Sequence, residues 1–202
     1  MLTITKMIKK IISTLIIYLF LGASLLASEN SLLSIGNKNS KITVKVFSSL
    51  TCPHCANFHN KIFDNLKVEY IDSKKVRFEH HSFPLDLAAL NAEIILRSVS
   101  DKEKSFQLLG ELYKKQNQWA VGSDINKINE AIKKIALNFG LNSEKVDKFL
   151  KDEKIQDQIL NERIDAQKKY KIDSTPTIYI NEKKYEGKHE YKQFKKAIEK
   201  LI

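Results

Sequence analysis

The first clear pattern in the chain is an alternation of apolar and polar side chains over residues 41–47. Ile42, Val44 and Val46 would share one face, which is the period of a strand with one side buried. After an interruption at residues 48–53, apolar residues return at helical spacing, and residues 76–80 alternate again. The pattern therefore predicts a strand–helix–strand unit. The apolar residues of its helix are Phe58, Ile62, Phe63 and Leu66.

A long helical region separates this unit from a second region of strands. Residues 85–171 carry mainly helical spacing, with a helix stop expected at Gly140. A strand is predicted at residues 177–180, followed by a turn and a short strand around Tyr185. We therefore expect an α/β core that is split by a helical insert. The last helix would place Tyr191, Phe194, Ile198 and Leu201 on one face.

The N-terminal segment differs from the rest of the chain. A short basic stretch ends at Lys10, an apolar run extends from Ile11 to Leu26, and small residues surround Ala27. This is the layout of a secretory signal peptide, with cleavage expected after Ala27. Leu25 occupies a position where a small residue is usual, so an uncleaved membrane anchor is the alternative. Export to the periplasm would place the remaining chain in an oxidising compartment.

Composition narrows the class of protein without identifying a function. The 202 residues are 43% apolar and 29% charged with only 6 Gly and 3 Pro, which excludes collagen, low-complexity disorder and a polytopic membrane protein. The formal net charge is +10, but Lys alternates with Glu and Asp on the helical stretches. This is typical of a solvated surface, and no basic run with interleaved aromatic residues occurs. We expect no nucleic-acid partner.

Both cysteines of the chain lie in the tetrad Cys52-Pro53-His54-Cys55, between the first predicted strand and its helix. Two cysteines exclude a multi-bridge disulfide scaffold and a four-thiolate zinc site, and Ala56 excludes the covalent haem signature, which needs His there. A redox-active dithiol, a structural disulfide and a mixed metal site remain. A bridge across so short a loop would constrain the unfolded chain little, which favours redox chemistry.

The position of the tetrad favours unequal reactivity of its two thiols. Cys52 lies at the predicted helix start, where unpaired backbone N–H groups and the helix dipole stabilise a thiolate. Pro53 suits the first turn because its missing N–H costs nothing there. His54, as a cation or hydrogen-bond donor, would stabilise the thiolate further and make the disulfide a stronger oxidant. Cys55, one turn further along, is expected to be shielded.

A metal centre is the alternative from another class of protein. Cys52, Cys55 and His59 form a C-x2-C-x3-H set that could hold copper or zinc in a metallochaperone. The chain has no methionine-rich segment, which counts against copper transport. We therefore expect no metal and no other cofactor. Candidates for a fourth ligand are His80, His81 and His189.

The tetrad, together with its surroundings, resembles the thioredoxin-fold thiol:disulfide oxidoreductases of the DsbA family. The resemblance runs from about Gly36 to the C-terminus and includes the strand before the tetrad, the helical insert and the Ser-Thr-Pro-Thr sequence of residues 174–177. It implies a thioredoxin fold with an inserted helical domain. The expected divisions are a signal peptide (1–27), a polar arm (28–40), the first part of the thioredoxin fold (41–84), the helical insert (85–171) and the second part of the fold (172–202).

The resemblance also implies an activity, which is disulfide formation in other exported proteins through a redox-active Cys52–Cys55 disulfide. In that family a downstream proline, here Pro176, follows a cis peptide bond and packs against the tetrad. A cis bond is feasible almost only before proline, and the backbone of Thr175 would then pair with a substrate peptide. The implied partners are reduced exported proteins and a quinone-linked, DsbB-like membrane reoxidant. We expect a monomer.

The chain departs from the best-known branch of that family. That branch has acidic residues in the strand before the tetrad and in the helix after it, and the aligned residues here are Val46 and His59. Buried carboxylates near a dithiol assist proton transfer, and neither aligned residue supplies one. A reductase or isomerase of the same fold is the second alternative. Dedicated isomerases use a dimerisation domain, for which the segment before Gly36 is too short. Trp119 is expected to pack in the core or the insert. His80 and His81 could line the site, but we expect them to be ordinary strand-end residues.

Overall fold

The computed structural model of the protein describes residues 32–202, so the expected signal peptide lies outside the described residues. The strands of the described chain are β1 (Leu33–Ile35), β2 (Ile42–Ser48), β3 (Val76–Ser82), β4 (Thr177–Ile180) and β5 (Lys183–Lys184). They form one mixed sheet in the order β1-β3-β2-β4-β5, in which β2 and β3 are parallel and the other neighbours are antiparallel. The late strand β4 therefore lies directly beside β2, which leads into the cysteine tetrad.

The predicted strand–helix–strand unit is confirmed by β2, β3 and the helical segment between them. In the parallel pair, Val44 is opposite Phe78, and both are buried. The connecting segment starts as a regular α-helix and continues through two π-helical turns. Its parts are α1 (Pro53–Phe58), a π-helical turn (His59–Phe63), α2 (Asp64–Leu66) and a second π-helical turn (Lys67–Ile71).

A group of helices connects β3 to β4, as the helical spacing predicts. Most begin at an Asp or Asn whose side chain accepts a backbone N–H of the first turn, a strong local reason for a helix to start there. Gly140, with φ of +85°, ends the helical turn after α5 in a left-handed conformation and confirms the predicted stop. The helices are α3 (Leu87–Arg97), α4 (Lys102–Lys114), the single-turn helix Gln116–Trp119, α5 (Ile125–Ala136) with the 3-10 turn Leu137–Phe139, α6 (Ser143–Leu150) and α7 (Glu153–Tyr170).

Three local expectations differ from the structure. The arm before residue 41 contains β1, which pairs with β3. The chain can turn after β1 because Gly36 has a φ of +100° and no side chain, whereas a Cβ there would lie 2.6 Å from the Val76 carbonyl oxygen. The short late strand is β5 rather than a strand around Tyr185, because the turn begins immediately after β4 with Asn181 in a left-handed conformation. The last helix, α8 (Tyr191–Glu199), ends before Leu201, which is 47% exposed.

The two faces of the sheet pack against different helices. The main core joins the inward face of β2 and β3 to the segment after the tetrad and to α4, α5 and α8. On the opposite face, Phe47 and Phe83 pack with Ala166 and Ile172 around the end of α7. Within residues 32–202, none of the helices combines the length and apolarity that crossing a membrane requires.

Candidate active site

The cysteine tetrad lies where β2 ends and α1 begins. Cys52 has an extended backbone, with φ of −78° and ψ of 120°, and Pro53 occupies the first turn of the helix. The Cys52 carbonyl oxygen accepts the backbone N–H groups of Cys55 and Ala56 at 3.1 and 3.2 Å. Both cysteines are free thiols, with Cys52 8% exposed and Cys55 1% exposed. Only the sulfur of the first cysteine is within reach of another protein.

Several hydrogen-bond donors favour the thiolate form of Cys52. The Cys55 thiol makes the largest contribution, and with the backbone N–H groups of Cys55 and His54 it outweighs the effect of burial and lowers the pKa of Cys52 to about 5. The Thr175 hydroxyl also favours the thiolate. A thiol with this pKa is almost fully ionised at neutral pH.

Cys55 has the opposite character. Burial is the largest cause that raises the pKa of this thiol well above its usual value, and the neighbouring Cys52 thiolate raises it further. The Cys52 sulfur is therefore suited to act as a nucleophile or leaving group, and the Cys55 sulfur is its protonated partner. This division is the one that the tetrad's position predicts.

Thr175 and Pro176 lie directly against the dithiol. The Thr175–Pro176 peptide bond is cis, as the resemblance implies. The Cys52 sulfur lies 3.3 Å from the Thr175 carbonyl oxygen, to which it donates only when the thiol is protonated. The Thr175 hydroxyl oxygen is buried without a hydrogen-bond partner among the described residues, and it favours the thiolate form of both cysteines. Its hydrogen is thus available to whichever sulfur carries the charge.

His54 contributes to the environment of Cys52 through its backbone. Its side chain is exposed, and its backbone N–H is the group that lowers the pKa of Cys52. The charge of its ring contributes, after burial, to a lowered pKa of His189. The amide of His54 therefore supports the thiolate, and the support expected from its imidazole stays a prediction.

The aligned position of the family's acidic residue, His59, is buried and stacked between two aromatic rings. Its ring centroid lies 4.5 Å from that of Phe63 and 5.1 Å from that of Tyr113. Burial, followed by the charge of His80, lowers the pKa of His59 to about 3. His59 is therefore neutral in the folded protein at ordinary pH.

A buried carboxylate does exist, but it comes from the helical insert. Glu93 on α3 is 1% exposed, and its Oε1 lies 2.7 Å from Nε2 of His80 while its Oε2 accepts the Ser82 hydroxyl at 2.8 Å. Burial alone would raise the pKa of Glu93, but the charges of His80 and Arg97 and these hydrogen bonds outweigh burial and lower it. His80 is thus not the ordinary strand-end residue that we expected. The sequence signal is a single Glu inside the apolar run of α3.

Tyr113 on α4 is buried where both Glu93 and the dithiol influence its ionisation. Its hydroxyl is buried without a hydrogen-bond partner among the described residues. Burial raises the pKa of Tyr113 well above its usual value, and the charges of Cys55 and Glu93 raise it further. The periodicity of α4 identifies Tyr113 only as a core residue.

The insert also contacts the backbone of the cysteine loop. The Gln116 side-chain Nε2 donates to the carbonyl oxygens of Leu50 and Cys52 at 2.7 and 3.1 Å. On the other side, the Thr51 hydroxyl donates to Asp86 Oδ2 at 2.7 Å, and Asp86 also caps α3. No sequence pattern points to Gln116, since it is one polar residue in a polar stretch.

The described part of the chain does not gather the side chains that the metal-site alternative needs. Among residues 32–202, no three His, Cys, Asp or Glu side chains converge on a possible metal position. The proposed ligand His59 lies instead within an aromatic stack. The set of Cys52, Cys55 and His59 therefore does not form a ligand cluster.

Comparison with known proteins relates this geometry to a family. The family model described as Thioredoxin matches residues 28–200. A Rickettsia bellii protein with the provisional name protein-disulfide oxidoreductase is 35% identical over 76% of this chain, which spans only 58% of that relative's length. Disulfide bond formation protein D of Bacillus subtilis is 26% identical over 83% of this chain and 76% of its own length.

Solved structures give the same result for the fold. The structure of α-DsbA1 from Wolbachia pipientis superposes with a TM-score of 0.77 and 27% identity, covering 84% of this chain and 90% of that chain. The oxidised form of BdbD from Bacillus subtilis superposes with a TM-score of 0.75 at 23% identity, covering 85% and 92%. The expected α/β thioredoxin fold with a helical insertion is confirmed.

Proposed function

The chain belongs to the DsbA-like members of the thioredoxin superfamily, and from this premise we propose that it is an exported thiol:disulfide oxidoreductase that introduces disulfides into other exported proteins. The catalytic pair would be Cys52 and Cys55. Pro53, His54, Thr175 and Pro176 would support it. The observation that carries the proposal is the contrast between the two thiols of one tetrad, one with a lowered pKa and one with a raised pKa.

The first step of the reaction is attack on the disulfide form of the tetrad. A substrate thiolate attacks the Cys52 sulfur, an S–S bond forms between substrate and Cys52, and the Cys52–Cys55 bond breaks. The electron pair of the broken bond leaves with Cys55. Because Cys55 is buried and its pKa is raised, its thiolate takes up a proton.

The second step releases the oxidised substrate. A second thiolate of the substrate attacks the substrate sulfur of the mixed disulfide, and Cys52 leaves as a thiolate. A leaving thiol with a pKa of about 5 departs readily, which favours this step. The substrate has lost two electrons and two protons, and the enzyme carries the reduced pair. A quinone-linked membrane protein of the DsbB type would reoxidise it.

The low pKa of Cys52 also supports the oxidising direction. Stabilising the thiolate stabilises the reduced enzyme, which makes the disulfide a stronger oxidant. We therefore expect a reduction potential above about −180 mV, on the DsbA side of the thiol–disulfide scale and far from the value of about −270 mV of thioredoxin. Equilibration with glutathione buffers measures this potential, and a value near that of thioredoxin would make the chain a reductase.

Export rests on the N-terminal sequence. A basic stretch, an apolar run and small residues around Ala27 support a secretory signal peptide and a periplasmic location. Mass spectrometry of the protein from the periplasmic fraction should show a mature N-terminus at Ser28. An intact Met1 in the membrane fraction would indicate the uncleaved anchor instead.

The activity is tested by oxidative folding of a reduced protein whose native state contains disulfides. Cys52→Ala should abolish disulfide transfer because the attacked sulfur is gone. Cys55→Ala should also give no transfer, because its single thiol has no disulfide to pass to the reduced substrate; with an oxidised substrate, its Cys52 thiolate should attack the substrate disulfide and form a mixed disulfide, with the other substrate sulfur leaving as a thiolate. His59→Leu is the matched control, since redox exchange requires only the two sulfurs, and it should retain transfer. Transfer by Cys52→Ala at the wild-type rate would refute the proposal.

A further inference from the structure

A single side chain of the helical insert connects to the backbone on both sides of Thr51. Gln116 Nε2 donates one hydrogen to the Leu50 carbonyl oxygen at 2.7 Å and the other to the Cys52 carbonyl oxygen at 3.1 Å. Both hydrogens of the amide group are thereby used. Leu50 is fully buried, so its carbonyl oxygen cannot exchange this partner for water without a movement of the loop.

The fold fixes the position of Gln116. It is the first residue of the single-turn helix Gln116–Trp119, which directly follows α4. Trp119 is 1% exposed and donates its Nε1–H to the Leu112 carbonyl oxygen of α4 at 2.7 Å. This buried anchor holds the turn against α4, so the amide of Gln116 meets the cysteine loop at a set place. Trp119 thus has a packing role that serves the loop.

The Cys52 carbonyl oxygen accepts three hydrogen bonds. Two come from the N–H groups of Cys55 and Ala56 in the first turn of α1, and the third comes from Gln116. A carbonyl oxygen is the negative end of a dipole, and here it belongs to the same residue as the reactive sulfur. A donor directed at that oxygen reduces its repulsion of a neighbouring thiolate and also holds the loop against the helix.

We propose that Gln116 is a positioning residue for thiol exchange, whose side-chain amide holds the loop from Leu50 to Cys52 in the conformation that presents the Cys52 sulfur. This inference rests on the proposed function of the tetrad. It gives the helical insert a part in positioning the reactive sulfur, through one amide rather than through a surface that covers the site. Gln116 touches neither sulfur, and its effect is transmitted through the loop backbone.

The test compares Gln116→Met with Gln118→Met, which lies on the same helical turn and is exposed. Methionine keeps the length of glutamine but has no hydrogen to donate, so Gln116→Met removes both hydrogen bonds while leaving the volume nearly unchanged. The titration midpoint of Cys52 in the reduced protein should rise by about half to one pH unit, as expected for the loss of one net hydrogen bond near the charge. The glutathione equilibrium should shift towards a weaker oxidant, and Gln118→Met should change neither quantity.

Melting temperature separates positioning from simple stability. A fall in melting temperature with an unchanged midpoint and an unchanged glutathione equilibrium would make Gln116 merely structural and overturn the inference. If Gln116→Met does not fold, Gln116→Ala is measured in the same way with the same two outcomes. Failure of the proposed function is distinguishable, because it appears in the wild type as a Cys52 midpoint near that of free cysteine and in Cys52→Ala as undiminished transfer.

Discussion

Removing the Cys55 thiol should raise the pKa of Cys52, because that thiol is the largest single contributor to the stabilised thiolate. A hydrogen bond to a charged group contributes about 1.5–3 kcal/mol, which corresponds to about one to two pKa units. In Cys55→Ala the midpoint of Cys52 should therefore move from about 5 to about 6–7. It should stay below the free-cysteine value of about 8.5, since the backbone N–H groups and Thr175 remain.

The matched comparison is Cys55→Ser, which keeps a hydroxyl donor at the same position. Its midpoint should lie closer to the wild-type value than to that of Cys55→Ala. Ultraviolet absorbance of the thiolate and the rate of iodoacetamide alkylation both report the ionised fraction across pH. At pH 6 the wild-type Cys52 should be about 90% ionised, whereas an unperturbed thiol would be ionised to well under about 1%.

Three results would contradict this reasoning. If the wild-type protein titrates near pH 8.5, the contacts around Cys52 do not stabilise its thiolate at all. If Cys55→Ala and Cys55→Ser both keep the wild-type midpoint, the stabilisation comes from the backbone donors and not from the buried thiol. Faster alkylation of Cys55 than of Cys52 would also reverse the assignment of the two roles.

Two further predictions concern the buried ionisable groups beneath the tetrad. The pKa of His59 is about 3 in the folded state and about 6.5 in the unfolded state, so its contribution to stability is present above about pH 6.5 and is lost as the pH falls. Between pH 7 and 4.5, urea unfolding should therefore show that the wild type loses about 3 kcal/mol more stability than His59→Leu. Equal losses in the two proteins would contradict the burial of His59 as a neutral ring. Glu93→Gln should destabilise the protein by about 3 kcal/mol at pH 7 because it breaks the buried pair with His80. The Glu93 pKa is lowered on folding, so this difference should be present above about pH 4.3 and shrink as the pH falls below that value, and a pH-independent difference would argue against an ionised Glu93.

The sequence determines the parts of this protein that depend on local patterns. Alternation of Ile42, Val44 and Val46 predicts β2, and the run at residues 177–180 predicts β4, because side-chain period is a direct consequence of backbone geometry. The tetrad and its place before a helix predict two unequal thiols, since helix starts supply unpaired N–H groups to any side chain there. Gly140 as a helix stop belongs to the same class of local signal.

Tertiary structure alone decides which distant residues meet the tetrad. Thr175 lies against Cys52 because β4 pairs with β2, a contact across 123 positions that no local pattern encodes, although the family resemblance implies it. No sequence pattern is strong enough to identify Gln116 and Glu93 as site residues, since a single amide or carboxylate in a sequence does not show whether the side chain faces solvent or the core. Their chemistry comes from burial and from the partners that packing brings within hydrogen-bond distance, and both are properties of the folded chain.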